Sequence, residues 1–403
     1  MWKLALRNVL RHKARTAMAL MAIVVGVVAL ILSGGFVYDI FKQLGEVLIH
    51  SQSGHIQVSR SGYFEHGARD PAKYLISDPE PLRRRIAGMP RVDEVMGRLY
   101  FSGLINNGRS DLPMVGAGVE PTRESRLGSG LTMTAGHRLE EKDKYGIVIG
   151  QGLSHALKIN PGDWVTLMVN TPDGAMNSLE FRVVGVFQTF SRDYDAHAVR
   201  ISLTAAQQLM DTKGINVLVV ALKRTRDTEP VAAALDKAYI HGGLEVKTWR
   251  ELNDFYSKTV QMYDAQFGVL RLIILVMVLL SVANSVNMSL FERIGEFGTM
   301  MALGNRGRSI FSLIIMENII IGVVGAVAGV ILGVFLALII SAIGIPMPPP
   351  PNSDLSYVAH IRIVPSVIAG AFVVGLIATV GASLLPARRM GRLRAADALR
   401  ENV

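Results

Sequence analysis

The sequence predicts an α-helical membrane protein with four transmembrane helices and an α+β extracytoplasmic domain inserted between helices 1 and 2. Half of the 403 residues are hydrophobic, and the mean hydropathy of +0.34 is high for a soluble protein but low for one wholly embedded in lipid. Four long apolar runs accompany one polar region of about 200 residues. Residues 38–266 carry equal numbers of basic and acidic side chains, so the net charge of +9 comes from residues beside the apolar runs.

The composition also limits the possible partners. A pI of about 9.7 would suit a nucleic-acid-binding protein. The basic residues do not cluster in the polar region, however, so we expect no nucleic-acid partner. The absence of cysteine excludes disulfides and thiolate metal sites.

Residues 1–15 predict a cytoplasmic amphipathic helix. Basic residues recur every four positions on one face, which favours a helix lying in the headgroup layer with its cations near anionic lipid. They are Lys3, Arg7, Arg11 and Arg15. A simple positive flank of the first span is the other interpretation, and the two are compatible.

Residues 16–37 predict the first span, because they carry no charge and are long enough to cross a bilayer. A cleaved signal peptide is the alternative, but the run exceeds the usual signal core and no A-x-A-like site follows it. The basic residues before the run place the amino terminus in the cytoplasm. Leu32–Gly35 reads LSGG, like an ATPase signature, but nucleotide could not reach a membrane helix. Small residues suited to close helix contact are the better interpretation.

Residues 38–50 and 248–266 predict helical stalks on either side of a domain at 51–247. Apolar residues at three- and four-residue spacing continue beyond the first span and lead into the second. Inside the domain, alternating patterns predict strands, and the turn signal at Pro172–Gly174 predicts a hairpin.

A weak internal repeat occurs in the domain, as DPEP at 78–81 and DTEP at 227–230. In each copy the Asp is predicted to cap a helix whose first turn contains the Pro, and a strand follows. We therefore expect two related βαβ-like pieces that flank an inserted, strand-rich lobe.

Residues 267–290 and 309–343 predict the second and third spans. The second carries a serine stripe and the third a doubled GxxxG, both typical of close helix packing. The predicted helix-packing residues are Ser281, Ser285, Ser289, Gly325, Gly329 and Gly333. Glu317 is predicted to snorkel to the interface or to pair with Arg306 or Arg308.

Residues 344–363 predict a short outer loop stiffened by four consecutive prolines. Residues 364–385 predict the fourth span, and residues 386–403 a cytoplasmic tail with five arginines. Four spans with both termini in the cytoplasm satisfy the charge bias. We expect a multi-pass membrane protein whose large domain lies across the membrane from both termini.

Residues 291–308 are predicted to form a short cytoplasmic helix between spans two and three. Three charged residues would face water beside an apolar strip, and a glycine would take the left-handed cap that ends the helix. An exposed apolar strip beside charges favours a docking surface, and an ordinary connecting loop is the alternative. The predicted site residues are Glu292, Arg293 and Glu296, the strip Phe297, Met300, Met301 and Leu303, and the cap Gly304.

Three stretches of the sequence carry a family resemblance. They are ERIGEFGTMMALG at 292–304, LALRNVLRHKARTAMALMAIVVGV near the amino terminus and LLPARRMGRLRAADALRE near the carboxy terminus. Together they resemble ABC transporter permeases of the FtsX/MacB/LolC-E superfamily, over all four spans and more loosely over the domain. The resemblance implies that residues 291–308 couple the chain to an ATPase.

The same resemblance implies a location in the bacterial inner membrane with a periplasmic domain, and it also implies the partners. They are two copies of an ABC ATPase, a second permease that is identical or paralogous, and a lipoprotein or other lipidic cargo, with a possible periplasmic acceptor. Because the partner subunit would use the ATP, we expect no cofactor on this chain.

No motif points to catalysis. The sequence has no Walker A loop, no H-E-x-x-H and no G-x-S-x-G. Its histidines are scattered, and the one loose cluster, His50, His55 and His66, is better explained by strand edges than by a metal. We expect no catalytic or metal site, and hence no enzyme.

The leading hypothesis is a permease subunit that extracts or exports lipoproteins or other lipidic cargo by mechanotransmission, without an aqueous pore. The alternatives are an ATP-driven regulator of a periplasmic cell-wall hydrolase, a macrolide or peptide efflux permease, and a membrane-anchored sensor or structural protein without a nucleotide partner.

Overall fold

The structure is a computed structural model that describes residues 2–11, 13–67, 71–127, 131–189, 191–239, 242–349 and 356–392. It divides into two compact units. We call them the helical unit, Met1–Lys42, Val260–Met347 and Val358–Val403, and the sheet unit, Gln43–Thr259 with Pro348–Tyr357.

The helices and strands have the following bounds. The helices are α1 Trp2–Arg11, α2 Lys13–Leu48, α3 Tyr63–His66, α4 Glu80–Ala87, α5 Pro121–Leu127, α6 Gln151–Leu157, α7 Arg192–Asp195, α8 Leu203–Leu209, α9 Thr228–Tyr239, α10 Trp249–Leu252, α11 Asp254–Glu292, α12 Ile294–Ala302, α13 Gly307–Ile343 and α14 Pro365–Met390. The strands are β1 Ile56–Arg60, β2 Val92–Asn106, β3 Asp111–Val119, β4 Thr132–Gly136, β5 Gly146–Gly150, β6 Trp164–Asn170, β7 Met176–Gln188, β8 Ala198–Ser202, β9 Val217–Leu222, β10 Leu244–Thr248, β11 Ile345–Met347 and β12 Tyr357–Ala359. A π-helical turn, Ile49–Ser53, follows α2 directly.

Four helices, α2, α11, α13 and α14, are long and apolar enough to cross a membrane. The predicted class, four transmembrane helices with an α+β domain inserted between helices 1 and 2, is confirmed. The helices exceed the predicted spans, because α2 continues to Leu48 and α11 begins at Asp254. The helix α14 also continues past residue 385 to Met390, and residues 393–403 of the predicted tail lie outside the described residues.

The glycine row of α13 lies against α2. All three glycines of the row are buried. A Cβ on Gly329 would lie 2.8 Å from Cβ of Val27, and one on Gly333 would lie 3.0 Å from Cδ1 of Ile31. Because any larger side chain would collide there, the doubled GxxxG allows the two backbones to approach closely.

The packing face of α11 differs from the predicted serine stripe. Its buried residues are Val278, Val282, Val286 and Leu290. Ser281 is exposed, and Ser285 and Ser289 are half-buried. The prediction is therefore wrong for Ser281 within this chain, because branched apolar side chains one position further on occupy the contact. Of the four long helices, α11 is buried least within the described chain.

The glycines of the LSGG stretch make room for the first turn of α14 and for the segment before it. A Cβ on Gly34 would lie 2.6 Å from Val367, and one on Gly35 would lie 2.5 Å from the carbonyl oxygen of Arg362. The Arg362 amide donates to the Gly35 carbonyl at 3.2 Å. The interpretation as small residues that permit close contact therefore holds.

An acidic residue of α2 anchors the same segment. Asp39 is 1% exposed and accepts hydrogen bonds from Arg362 Nε at 2.6 Å and from the His360 amide at 2.8 Å. Ser341 of α13 bonds both the amide and the carbonyl of Ile361. The predicted loop is thus tied to two helices, although residues 350–355, with part of the proline run, lie outside the described residues.

The sheet unit is built on a split βαβ arrangement. Four strands lie in the order β10-β1-β9-β2, all antiparallel to their neighbours, with α4 between β1 and β2 and α9 between β9 and β10. The two predicted βαβ-like pieces are thereby confirmed. The predicted Asp78 cap is wrong, because Pro79 occupies the N-cap of α4 and no side chain bonds there.

The inserted lobe grows from the far end of β2. This long strand pairs with β9 over its first half and with β3 over its second half, and the lobe continues as β3-β8-β5-β7-β4 with β6 between β2 and β7. The predicted hairpin is β6–β7, whose turn closes with the Thr171 amide donating to the Ala175 carbonyl at 2.8 Å. Gly174 has a φ of +81°, which explains the glycine in the turn signal.

Candidate coupling site

The segment between α11 and α13 contains one short helix, α12. A single residue, Arg293, separates α11 from α12, and the Arg293 carbonyl accepts from the Phe297 amide at 3.1 Å. After α12, Gly304 has a φ of +94°, and its amide donates to the Met301 carbonyl at 3.0 Å. The predicted helix stop at Gly304 is confirmed.

Arg293 is buried, which corrects the prediction that it faces water. It is 4% exposed, and its Nη1 and Nη2 donate to the two carboxylate oxygens of Glu317 at 2.8 and 3.2 Å. The guanidinium also lies 4.9 Å from the ring centroid of Phe297. A forked guanidinium–carboxylate contact satisfies both charges inside an apolar bundle, so burial is tolerated.

The partner of Glu317 also differs from the prediction. Glu317 lies ten positions beyond Gly307, so about 15 Å of helix separates it from Arg306 and Arg308. Instead it binds Arg293 and accepts a hydrogen bond from Asn8 Nδ2 at 2.7 Å. We call Asn8, Arg293 and Glu317 the inner cluster; it joins α1, the start of α12 and α13.

The inner cluster borders a small polar cavity of about 50 Å³. The half-buried serines of α11 line it, together with Asn318 of α13. A cavity of this size with several polar partners is suited to ordered water. Ser285 and Ser289 therefore line this polar cavity rather than form an apolar helix contact.

The predicted apolar strip is partly internal. Phe297 is fully buried, and Met300 and Met301 are half-buried against the same core. The strongly exposed apolar side chains of the segment are Leu303 at 81% and Phe291 at 70%. Because the α12 face that carries Phe297 packs against the helical bundle, the exposed apolar surface lies at the two ends of the segment.

The remaining predicted residues lie at the surface. Glu292 and Glu296 are exposed. Glu296 contacts Arg293 Nε at 3.2 Å and Arg11 of α1 at 3.4 Å. Within residues 291–304 the exposed charges are thus acidic, with an exposed apolar side chain at each end. Among the described residues, no group of His, Asp or Glu side chains could hold a metal ion.

Comparisons with known proteins identify the family. Residues 16–238, more than half of the chain, match the MacB-like periplasmic core domain, and residues 268–395 match the FtsX-like permease C-terminal domain. The chain belongs to the MacB/FtsX/LolE family of ABC transporter permeases.

Three relatives resemble the permease over different shares of their length. An uncharacterized ABC transporter permease of Methanocaldococcus jannaschii is 25% identical over 98% of this chain and 96% of its own. The lipoprotein-releasing system transmembrane protein LolE of Haemophilus influenzae is 21% identical over 60% of each chain. The macrolide export ATP-binding/permease protein MacB of Wolinella succinogenes is 24% identical over 97% of the permease, which spans 59% of that protein.

Two residues of the permease's candidate site escaped sequence reasoning. Asn8 had a usable signal, because it is the only uncharged polar side chain in residues 1–11 and a glutamate inside a span needs a partner. The sequence signal for Phe291 was weaker, because an aromatic residue before the Glu-Arg pair is equally consistent with the end of the membrane span.

Proposed function

We propose that this permease is the transmembrane subunit of an ABC transporter that works by mechanotransmission on lipoproteins or other lipidic cargo. The observation that carries the proposal is the buried contact of Arg293 with Glu317. It fixes the start of α12 to α13, so α12 is a rigid part of the bundle rather than a loop. A partner that pushes on α12 would therefore move the long helices.

ATP would be hydrolysed by a separate subunit that docks on the outward surface of residues 291–304. This surface offers Leu303 and Phe291 as apolar contacts, with Glu296 between them. Large exposed apolar side chains beside charged ones are typical of a surface that binds a partner. Docking there requires this segment, and with it both termini, to lie in the cytoplasm, and the domain to lie across the membrane.

The exposure of α11 supports a pair of permeases in the transporter. Most of its outer half, from Val260 to Ile273, is exposed within this chain. A second permease, identical or paralogous, would cover part of that surface and bring two coupling sites to two ATPase subunits.

A lipidic cargo explains why ATP is needed. Burial of an acyl chain stabilises it by about 0.8 kcal/mol per CH₂, so a long chain resists extraction by roughly 10 kcal/mol. One relative is named for lipoprotein release and another for macrolide export. Lipoproteins and macrolides are both partly apolar molecules. Macrolide export is the second candidate, since that relative matches along 97% of the permease.

The docking surface can be tested by purification of the tagged full-length permease from its native membrane in mild detergent. We expect an ABC ATPase to copurify, and Glu296→Lys with Leu303→Asp to reduce its recovery at least about tenfold, since each change places an unfavourable group in the contact. Asp173→Lys in the exposed β6–β7 turn is the matched charge-reversal control. Absence of any ATPase, or equal loss in the control, would contradict the proposal.

The cargo can be tested in reconstituted vesicles that contain the permease and its ATPase. ATP-dependent release of a triacylated lipoprotein would support the lipidic class, and ATP-dependent movement of a macrolide alone would favour the second candidate. Capture of a cell-wall hydrolase by the sheet unit, with neither cargo moved, would contradict both.

A further inference from the structure

We propose that Arg98 and Arg200 are positioning residues that clamp the carboxyl end of α2 to the sheet, so that a displacement of α2 is carried into the sheet unit. The inference rests on the proposed function for its role in transmission. The clamp itself stands on contacts inside the sheet unit.

The end of α2 exposes backbone acceptors that need partners. The last carbonyls of a helix have no intrahelical donor, and here a π-helical turn, Ile49–Ser53, extends that end. Arg98 Nη1 donates to the Gln52 carbonyl, and Arg200 Nη2 donates to the Ser51 carbonyl at 2.5 Å. The carbonyl of the next residue, Ser53, accepts from Gln57 Nε2 at 2.8 Å.

The donors come from three different strands. Gln57 lies on β1, Arg98 on β2 and Arg200 on β8, and all three side chains are buried. Because β1 and β2 belong to the split βαβ arrangement and β8 to the inserted lobe, the helix end is held by both parts of the sheet.

A single carboxylate orients both arginines. Glu124 of α5 contacts Arg98 through Nη2 and Nε, and its Oε1 lies 3.3 Å from Arg200 Nη1. Burial alone would lower the pKa of Arg98, but the adjacent Glu124 raises it above its ordinary value. The guanidinium therefore stays charged, and a cation at a helix carboxyl end is favoured by the helix dipole.

The arrangement does more than fill the core. Within the described part of the chain, Arg200 Nε is buried without a hydrogen-bond partner. A buried N–H group without a hydrogen bond is unfavourable. The position of Arg200 is therefore set by its contacts to the Ser51 carbonyl and Glu124, and not by hydrogen bonding of every N–H group of the guanidinium.

The start of the second stalk adjoins the same clamp. A cavity of about 220 Å³ is lined by Arg98 and Arg200, by Gln52 at the end of α2, and by Asn253 between α10 and α11. The Trp249 amide donates to the His55 carbonyl at 3.0 Å, and the Trp249 ring lies 2.7 Å from where a Cβ on Gly45 would be. The ends of both stalk helices therefore meet the sheet at one place.

The first test measures the clamp itself by amide hydrogen exchange on the full-length permease in lipid nanodiscs. Arg98→Met and Arg200→Met remove the carbonyl contacts and keep an apolar stem, so we expect exchange at residues 49–54 to rise by about tenfold or more. Arg83→Met is the matched control, because Arg83 is also buried in the sheet unit but binds Glu120 and Glu80. No rise, or an equal rise in the control, would overturn the clamp.

The second test measures transmission with the ATPase bound. Since the chain has no cysteine, a spin label can be placed at Asp173→Cys and at the corresponding position of the second permease, and the distance between the two sheet units followed with and without ATP. We expect a nucleotide-driven change in the parent chain and in Arg83→Met. In Arg98→Met/Arg200→Met we expect at most half of that change, with ATPase activity close to that of the control.

The outcomes separate the two proposals. If the parent chain shows no nucleotide-driven change, the proposed function fails, and transmission through the clamp fails with it. If the parent chain changes and the double variant changes equally despite faster exchange, the proposed function stands and Arg98 and Arg200 are not positioning residues. Reduced displacement at unchanged ATPase activity supports the proposal, because loss of stability alone would lower both.

Discussion

Two buried arginine sites of the permease satisfy their charges in different ways. In the helical unit, Arg293 meets carboxylates only, with Nη1 and Nη2 on Glu317 and Nε on Glu296. In the sheet unit, Arg98 and Arg200 share Glu124 and direct other donors to backbone carbonyls. A carboxylate is needed for each arginine inside a bundle whose carbonyls are already bonded, whereas a helix end supplies spare acceptors with partial negative charge. At both of these sites buried arginines therefore mark the end of a long helix.

The largest effect is expected at the Arg293–Glu317 contact. Arg293→Met leaves the Glu317 carboxylate buried without its cation, and breaking such a pair costs about 3–5 kcal/mol. We expect a fall of several degrees in the melting temperature of the nanodisc-embedded permease. Arg306→Met, at an exposed position of the same segment, is the control.

A charge swap sharpens this test. Arg293→Glu with Glu317→Arg restores opposite charges and should recover part of the lost stability. If Arg293→Met costs no more than Arg306→Met, the inner cluster does not hold α12, and the comparison with the sheet unit loses its basis.

Acid should affect the sheet unit through His55. Burial and the nearby His50 lower the pKa of His55 from 6.5 to about 4, while its Nδ1 accepts from the Leu222 amide at 3.2 Å. Because the folded pKa lies below the unfolded one, this contribution is complete above pH 6.5 and is lost as the pH falls towards 4. The full difference is on the order of 3 kcal/mol.

Unfolding followed at pH 7.5, 6.0 and 5.0 measures this dependence. Arginines keep their charge throughout that range, so the arginine side chains themselves contribute no such slope. His55→Gln should flatten the acid slope, whereas His66→Gln, at an exposed position, should leave it unchanged. An unaltered slope in His55→Gln would show that other groups titrate.

A third variant tests how much of the stability of the helical bundle depends on close apolar packing. Gly329→Leu places a side chain where Val27 already lies 2.8 Å from the added Cβ, and overpacking of this kind costs about 1–3 kcal/mol. Gly370→Leu on α14 is the control, since no described atom lies within 4 Å of its added Cβ. Thermal unfolding of both variants should separate them clearly; equal melting temperatures would mean that α2 and α13 can move apart freely.

The smallest effect is expected at the outer end of α2. Arg362 is 44% exposed although its partner Asp39 is buried, so solvent screens much of the contact. Arg362→Gln should cost at most about 1 kcal/mol, and less at high salt. A loss equal to that of Arg293→Met would show that exposure does not distinguish the two ion pairs.

Local patterns predicted much of the fold and little of the polar site. Apolar run length gave the spans, turn chemistry gave the β6–β7 hairpin and the stop at Gly304, and GxxxG gave a close helix contact of α13 without naming α2 as the partner. The partners of Glu317 could not be read in this way, because Arg293 is 24 positions away and Asn8 is 309 positions away. Strand alternation likewise gives no reason to bury Arg98, since its partners belong to a helix end and to α5.

Charge placement along α11 and α13 has a consequence for the surrounding lipid. Arg271, which lies within the predicted second span and is exposed, is separated from Glu292 by twenty residues, Leu272–Phe291, or about 30 Å, close to the thickness of a hydrocarbon core. Beyond Glu317, α13 runs on for 26 residues to Ile343, or about 39 Å. A bilayer of that thickness matches the apolar run of α11 without tilt, whereas the longer apolar run of α13 exceeds it and favours tilt or local thickening of the lipid. Thinning the membrane would tilt α13 further, so bilayer thickness acts on the helix that holds Arg293.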